Sequence, residues 1–139
     1  MSVSVSTVDV WRGQVDDQPG TLSAGLAALT AAGANLEFTV ARRDDVDGKS
    51  AVYTGPIKGA KQTAAAAKAN FRKSAKIYAL RVEASDRPGL AADVTGAAGS
   101  AGVNITEFFG AVQGKKVVAY FWLESSADAA KVAKALKKI

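Results

Sequence analysis

Apolar and polar residues alternate from Lys76 to Ala84, with Tyr78, Leu80, Val82 and Ala84 on one face, which predicts a β-strand. Pro88 then stands where proline suits the first turn of a helix. Leu90, Val94, Ala97, Ala98 and Ala101 follow at helical spacing, and Gly102 reads as a left-handed stop. Val103 to Val112 is rich in β-branched and aromatic residues, Gln113-Gly114 turns the chain, and Val117 to Leu123 predicts a further strand. Ala127 to Leu136 places Ala130, Ala133 and Leu136 on one side of a short amphipathic helix.

The first half runs in the same order. Val5 to Val15 predicts a strand, Pro19 to Ala32 a helix ended by Gly33, and Leu36 to Arg42 a strand. Asp47-Gly48 is a hairpin signal. Ser50 to Thr54 predicts a strand, and the alanine-rich Ala60 to Phe71 a helix. Each half is therefore strand-helix-strand-strand-helix. With right-handed crossovers this is the ferredoxin-like plan, helices on one face of an antiparallel sheet. The fold class expected is α+β, two ferredoxin-like βαββαβ modules spanning 1–73 and 74–139.

The fourth strands are harder to find. Few residues separate Phe71 from Lys76, so Lys76 to Ala84 is expected to close the first module, open the second, or do both. No strand follows the last helix. The segment Ser2 to Val15 is long for one strand, usually about 5–6 residues. Its early part, around Val3 and Val5, is expected to complete the second module's sheet.

The parallel between halves is also literal. Asp17-Gln18-Pro19-Gly20 recurs as Asp86-Arg87-Pro88-Gly89, and Ala32-Gly33-Ala34-Asn35-Leu36 as Ala101-Gly102-Val103-Asn104-Ile105, both offset by 69 residues. Seven positions of that 20-residue window are identical, so one supersecondary unit occurs twice.

The two motifs, above all Asp86-Arg87-Pro88-Gly89-Leu90 with Gly102-Val103-Asn104-Ile105, resemble the signature of the ACT domain family. The resemblance implies the same strand and helix order and a role in sensing free amino acids for allosteric regulation. It implies ligand contacts from the loop between first strand and first helix and from the Asn that follows the helix. Those positions are Asp86, Arg87, Pro88, Gly89, Leu90, Asn104 and Ile105, and in the first copy Asp17, Gln18, Pro19, Gly20, Thr21, Asn35 and Leu36. Some members place a His two residues before the acidic position; Ala84 and Val15 stand there in this chain. The chemistry suits a zwitterion: free N–H groups at a helix start attract a carboxylate, an Asp accepts from an ammonium, and an Asn amide serves either. The competing reading makes Asp86 a helix cap and Asn104 a partner for a strand end.

Composition narrows the chemistry further. The 139 residues include no His and no Cys. A closed zinc site and an imidazole-based nucleophilic triad are therefore ruled out, and no catalytic residue, metal or cofactor is expected. Absence of disulfides suits a reducing compartment. No run of 18 apolar residues predicts a membrane helix, and Met1 to Val10 lacks the basic start of a signal peptide; a cytoplasmic protein is expected. The net charge of +5 lies largely in lysines near helix ends, where they complement the dipole.

Gly96 to Gly102 lacks a dinucleotide fingerprint and reads as a small-residue packing face. Gly55 to Thr63 lacks P-loop spacing. Asp45 and Asp47 fail the calcium-loop pattern, since Arg43 and Thr54 occupy its end positions. Tyr120 and Trp122 share one face of a strand and Phe121 and Leu123 the other, so both faces are expected to be covered, by the sister module or a second chain. A homodimer and a regulated partner enzyme or regulator are expected. Two rival functions stay open: a protein-interaction module without ligand, and an RNA-binding ferredoxin-like domain stacking bases on Tyr120 and Trp122, although the RNP1 pattern is absent.

Overall fold

A computed structural model describes residues 3–139. The chain is α+β, with two four-stranded antiparallel sheets and four helices in two compact units. The first unit comprises residues 9–74. The second joins Ala75–Ile139 to the N-terminal strand.

In the first unit the elements are β2 (Trp11–Asp16), α1 (Thr21–Thr30), β3 (Phe38–Arg43), β4 (Lys49–Gly55), α2 (Gly59–Lys68) and β5 (Phe71–Lys73), and the sheet order is β3-β4-β2-β5. Numbering the unit's own strands one to four, that order is 2-3-1-4, the ferredoxin-like arrangement. Its core gathers Leu29, Val52, Ala66 and Phe71, with Val15, Leu26 and Leu36 packed against them. The helix expected over Ala60 to Phe71 ends earlier, at Lys68. Asn70 takes a left-handed conformation (φ 63°) and Phe71 opens the three-residue β5. So short a strand has no legible period, and Phe71 falls at helical spacing by coincidence. Hence Lys76 to Ala84 does not close the first module.

Phe71 fits because β2 makes room for it. Gly13 is its cross-strand partner. A Cβ built on Gly13 would fall 2.5 Å from Phe71 Cε2, and one on Gly25 of α1 would lie 3.8 Å from Cε1. The ring is 1% exposed.

In the second unit the elements are β6 (Tyr78–Ser85), α3 (Leu90–Ser100), β7 (Glu107–Gln113), β8 (Lys116–Leu123) and α4 (Ser126–Leu136), and the fourth strand is β1 (Val3–Val8). The sheet order β1-β6-β8-β7 repeats the same arrangement. β1 pairs antiparallel with β6, Val3 opposite Ala84 and Val5 opposite Val82. Both valines pack against the core of Leu80, Val82, Leu90, Val94, Phe121 and Val132. The strand expected over Val5 to Val15 is thus two strands serving different sheets, and the contiguous division 1–73 and 74–139 differs from the structure in residues 3–8 and at Ser74. Without β1, the edge of β6 would present unpaired backbone groups.

Both faces of β8 are buried: Phe121 and Leu123 belong to the helix-side core, and Tyr120 and Trp122, on the other face, are 5% and 2% exposed. Phe109 stacks on Tyr120 at 5.0 Å and meets Trp122 edge-on at 5.4 Å. α4 is capped by Ser125, whose Oγ accepts the Asp128 N–H at 3.1 Å. Among the described residues no helix is long and apolar enough to cross a membrane.

Candidate functional site

The two Pro-Gly loops fold alike. Gly20 and Gly89 hold left-handed conformations (φ 88° and 82°) immediately before α1 and α3, and neither helix start has a side-chain cap. Each helix therefore begins two residues after its proline, at Thr21 and Leu90, so neither Pro19 nor Pro88 lies in the first turn. Asp17 and Asp86 are not caps; each anchors its loop by donating its backbone N–H to the facing hairpin, Asp17 to Gly48 O and Asp86 to Lys115 O, at 2.9 and 2.8 Å. This leaves the start of α3 with free donors. Asp93 N bonds Gly89 O and Leu90 N bonds Arg87 O, while the N–H groups of Ala91 and Ala92 have no backbone acceptor.

In the second module these groups border a cleft of about 310 Å³. One wall is Asp86, Arg87, Gly89 and the first turn of α3. The other is the helix-facing surface of the sheet: Val82 and Ala84 of β6, Phe108, Gly110 and Val112 of β7, and Val117 and Ala119 of β8. Gly110 lies against β8 so closely that a Cβ there would stand 2.9 Å from the Ala119 Cβ. The cleft lies open at Val112, which is 55% exposed. Its size is at the lower end of small-molecule pockets, and an apolar lining with few polar groups is the usual composition of such sites.

Asp86 is exposed, and its carboxylate has no hydrogen-bond or ion-pair partner among the described residues. Its neighbour Arg87 is turned aside onto Asp93. Two other acids are held in their charged form by neighbours. Gln14 holds the Asp44 carboxyl below its usual range, with help from the Asp45 N–H and Arg12. Arg81, then Lys116, do the same for Glu83.

Of the residues nominated in the second copy, Asp86, Arg87, Gly89 and Leu90 line the cleft; Pro88, Asn104 and Ile105 do not. Asn104 is exposed, and Ile105 packs against the core. In the first copy Gln18, Pro19, Gly20 and Asn35 are exposed, and Leu36 packs against its own core. Thr21 turns its hydroxyl back onto the Asp16 and Gln18 carbonyls. The sheet side of the cleft escaped sequence reasoning. Its legible signals were the alternation that put Val82 and Ala84 on one face and the strand content of Val103 to Val112. No group of three or more Asp or Glu residues suited to a metal ion occurs among the described residues.

No family model matches this sequence. No curated protein matches it in sequence either. Solved structures do match in fold. Protein BT0572 from Bacteroides thetaiotaomicron superposes with a TM-score of 0.76 at 16% identity, covering 96% of this chain and 89% of that one. The ligand-free regulatory subunit of aspartate kinase from Thermus thermophilus gives 0.64 at 16% identity, covering 97% of each chain. The corresponding subunit from Thermus flavus gives 0.61 at 16% identity, covering 99% and 96%. What this chain shares with them, over nearly its whole length, is a fold of two ferredoxin-like units.

Proposed function

We propose that this chain is a tandem ACT-type regulatory protein, without catalytic activity of its own, that binds a free amino acid and acts on a partner enzyme. The observation that carries the reading is the cleft at the start of α3, where an unpartnered Asp86 carboxylate and the free N–H groups of Ala91 and Ala92 border one apolar space. Asp86 receives the ligand ammonium. The helix start receives its carboxylate, as helix N-termini commonly do. The likeness in fold to regulatory subunits of aspartate kinase supports a regulatory role. Coupling to a partner requires that ligand bind one of two packings more tightly than the other. A homodimer belongs to the same reading: the edge strand β7 leaves Val112 open to solvent, and a mass in solution of one chain would remove it.

The RNA-binding alternative loses its platform, because Tyr120 and Trp122 are buried and no base can stack on them. The ligand reading is tested by melting the purified protein with each of the twenty amino acids at millimolar concentration. A ligand at about 100 times its Kd adds about 2.7 kcal/mol, a rise of several degrees. Asp86→Asn should abolish the shift. No shift with any amino acid would leave a protein-interaction module as the better reading.

A further inference from the structure

The two copies present the same loop over very different surroundings. Their registers correspond: Gly13 lies opposite Val52 as Val82 lies opposite Ala119, and the Arg43–Ser50 pair of β3 and β4 occupies the place of the Val112–Val117 pair of β7 and β8. In the first module that pair holds the loop carboxylate. Arg43 Nε donates to Asp17 Oδ2 at 3.1 Å, and Ser50 Oγ to Asp17 Oδ1 at 3.4 Å. In the second module two valines stand there, and Asp86 has no partner. The exchange extends along the wall, since Thr39 corresponds to Phe108 and Thr21 to Leu90. At the back of the site, Phe71 packs over Gly13 and Gly25, where the second module has Val82 and Val94.

Resting on the amino-acid-binding reading above, we infer that the modules are not equivalent: only the second takes ligand, and that ligand is an amino acid with an apolar side chain. In the first module the chain supplies its own cation to the loop aspartate, through Arg43. In the second the cation is missing, and its place is lined by Val112 and Val117. A ligand that supplies an ammonium to Asp86 must lay the rest of itself on valine, phenylalanine and alanine. A polar side chain laid on that sheet wall would lose hydrogen bonds to water with no side-chain partner on the wall to replace them, whereas each buried methylene favours binding.

Isothermal titration of the full chain with leucine, valine and phenylalanine, and with serine, aspartate and lysine, tests this. The expected result is binding of the apolar set at one ligand per chain, at least tenfold tighter than the polar set. 4-Methylpentanoate, which is leucine without its amino group, should bind at least tenfold more weakly than leucine. Placing the first module's pair in the second, Val112→Arg with Val117→Ser, should cost at least tenfold in leucine affinity. The reverse exchange, Arg43→Val with Ser50→Val, should leave it unchanged. Tighter binding of a polar amino acid, two ligands per chain, or equal binding of 4-methylpentanoate overturns the inference while the sensor reading stands. Binding by none of the six overturns both.

Discussion

Gly13→Val tests whether the first module's core is built around one large-small pair. The substituted Cβ would fall 2.5 Å from Phe71 Cε2 and 2.7 Å from Cδ2 and Cζ. No side-chain rotation of the valine relieves that, because the Cβ position is set by the backbone. The ring is itself confined, being 1% exposed in a core with Leu29, Val52 and Ala66. Overpacking of this kind costs about 1–3 kcal/mol. Phe71→Val alone empties part of the same space, at somewhat less than the roughly 3–5 kcal/mol of truncating a buried Phe to Ala. The double variant recreates the cross-strand pair that the second module uses, Val82 opposite Val5. Its cost should fall short of the sum of the singles by about 0.5–3 kcal/mol, the range for residues in direct contact. Each kcal/mol moves Tm by roughly 4–8 °C for a unit of 60–100 residues, so thermal melts followed by circular dichroism resolve the difference. Additive costs within about 0.5 kcal/mol would refute the pair as the organising feature.

Other expectations follow from single contacts. Ser125→Ala removes the only side-chain cap described on any of the four helices and should cost about 1 kcal/mol, read as a lowered denaturant midpoint at unchanged slope. Gly102→Ala meets no atom within 4 Å, yet its φ of 76° is left-handed, so its cost of roughly 1–2 kcal/mol should be backbone strain alone; an unchanged Tm would contradict that conformation. Shortening the chain by residues 2–5 should destabilise the second unit selectively, because Val3 and Val5 pack in its core; hydrogen exchange of β6 amides reads this, and unchanged protection would argue against the pairing. Asp44 and Glu83 both titrate below their usual values near 3.8 and 4.5. Folded carboxyls with lowered pKa contribute stability above the unfolded value and lose it as pH falls through the folded one. Asp44→Asn with Glu83→Gln should therefore flatten the loss of stability below about pH 4.5 and leave its slope at neutral pH unchanged.

Much of the architecture was legible because its causes are local. Period-2 alternation marked β6, a continuous run of β-branched and aromatic residues marked β8, glycine stops at Gly33 and Gly102 ended the helical segments, and the 69-residue repeat declared two modules. The loop aspartates were also readable, because their Asp-x-Pro-Gly motif repeats; the left-handed glycines before α1 and α3 were not, because the prolines were expected to open the helices. β5 was not readable: three residues carry no period, and Phe71 makes sense only beside Gly13, 58 positions earlier.

By itself, then, the sequence determined the order of elements, their doubling, and the chemical types at each helix start. Tertiary structure decided which strand completes which sheet and which aspartate is already partnered. Strand pairing joins residues as distant as Val3 and Ala84, and its energy depends on burial and hydrogen bonding that neither segment expresses alone. The same holds for Asp17 and Asp86. They share the Asp-x-Pro-Gly motif, and they differ in partner because the cross-strand register sets Arg43 and Ser50 beside one and Val112 and Val117 beside the other.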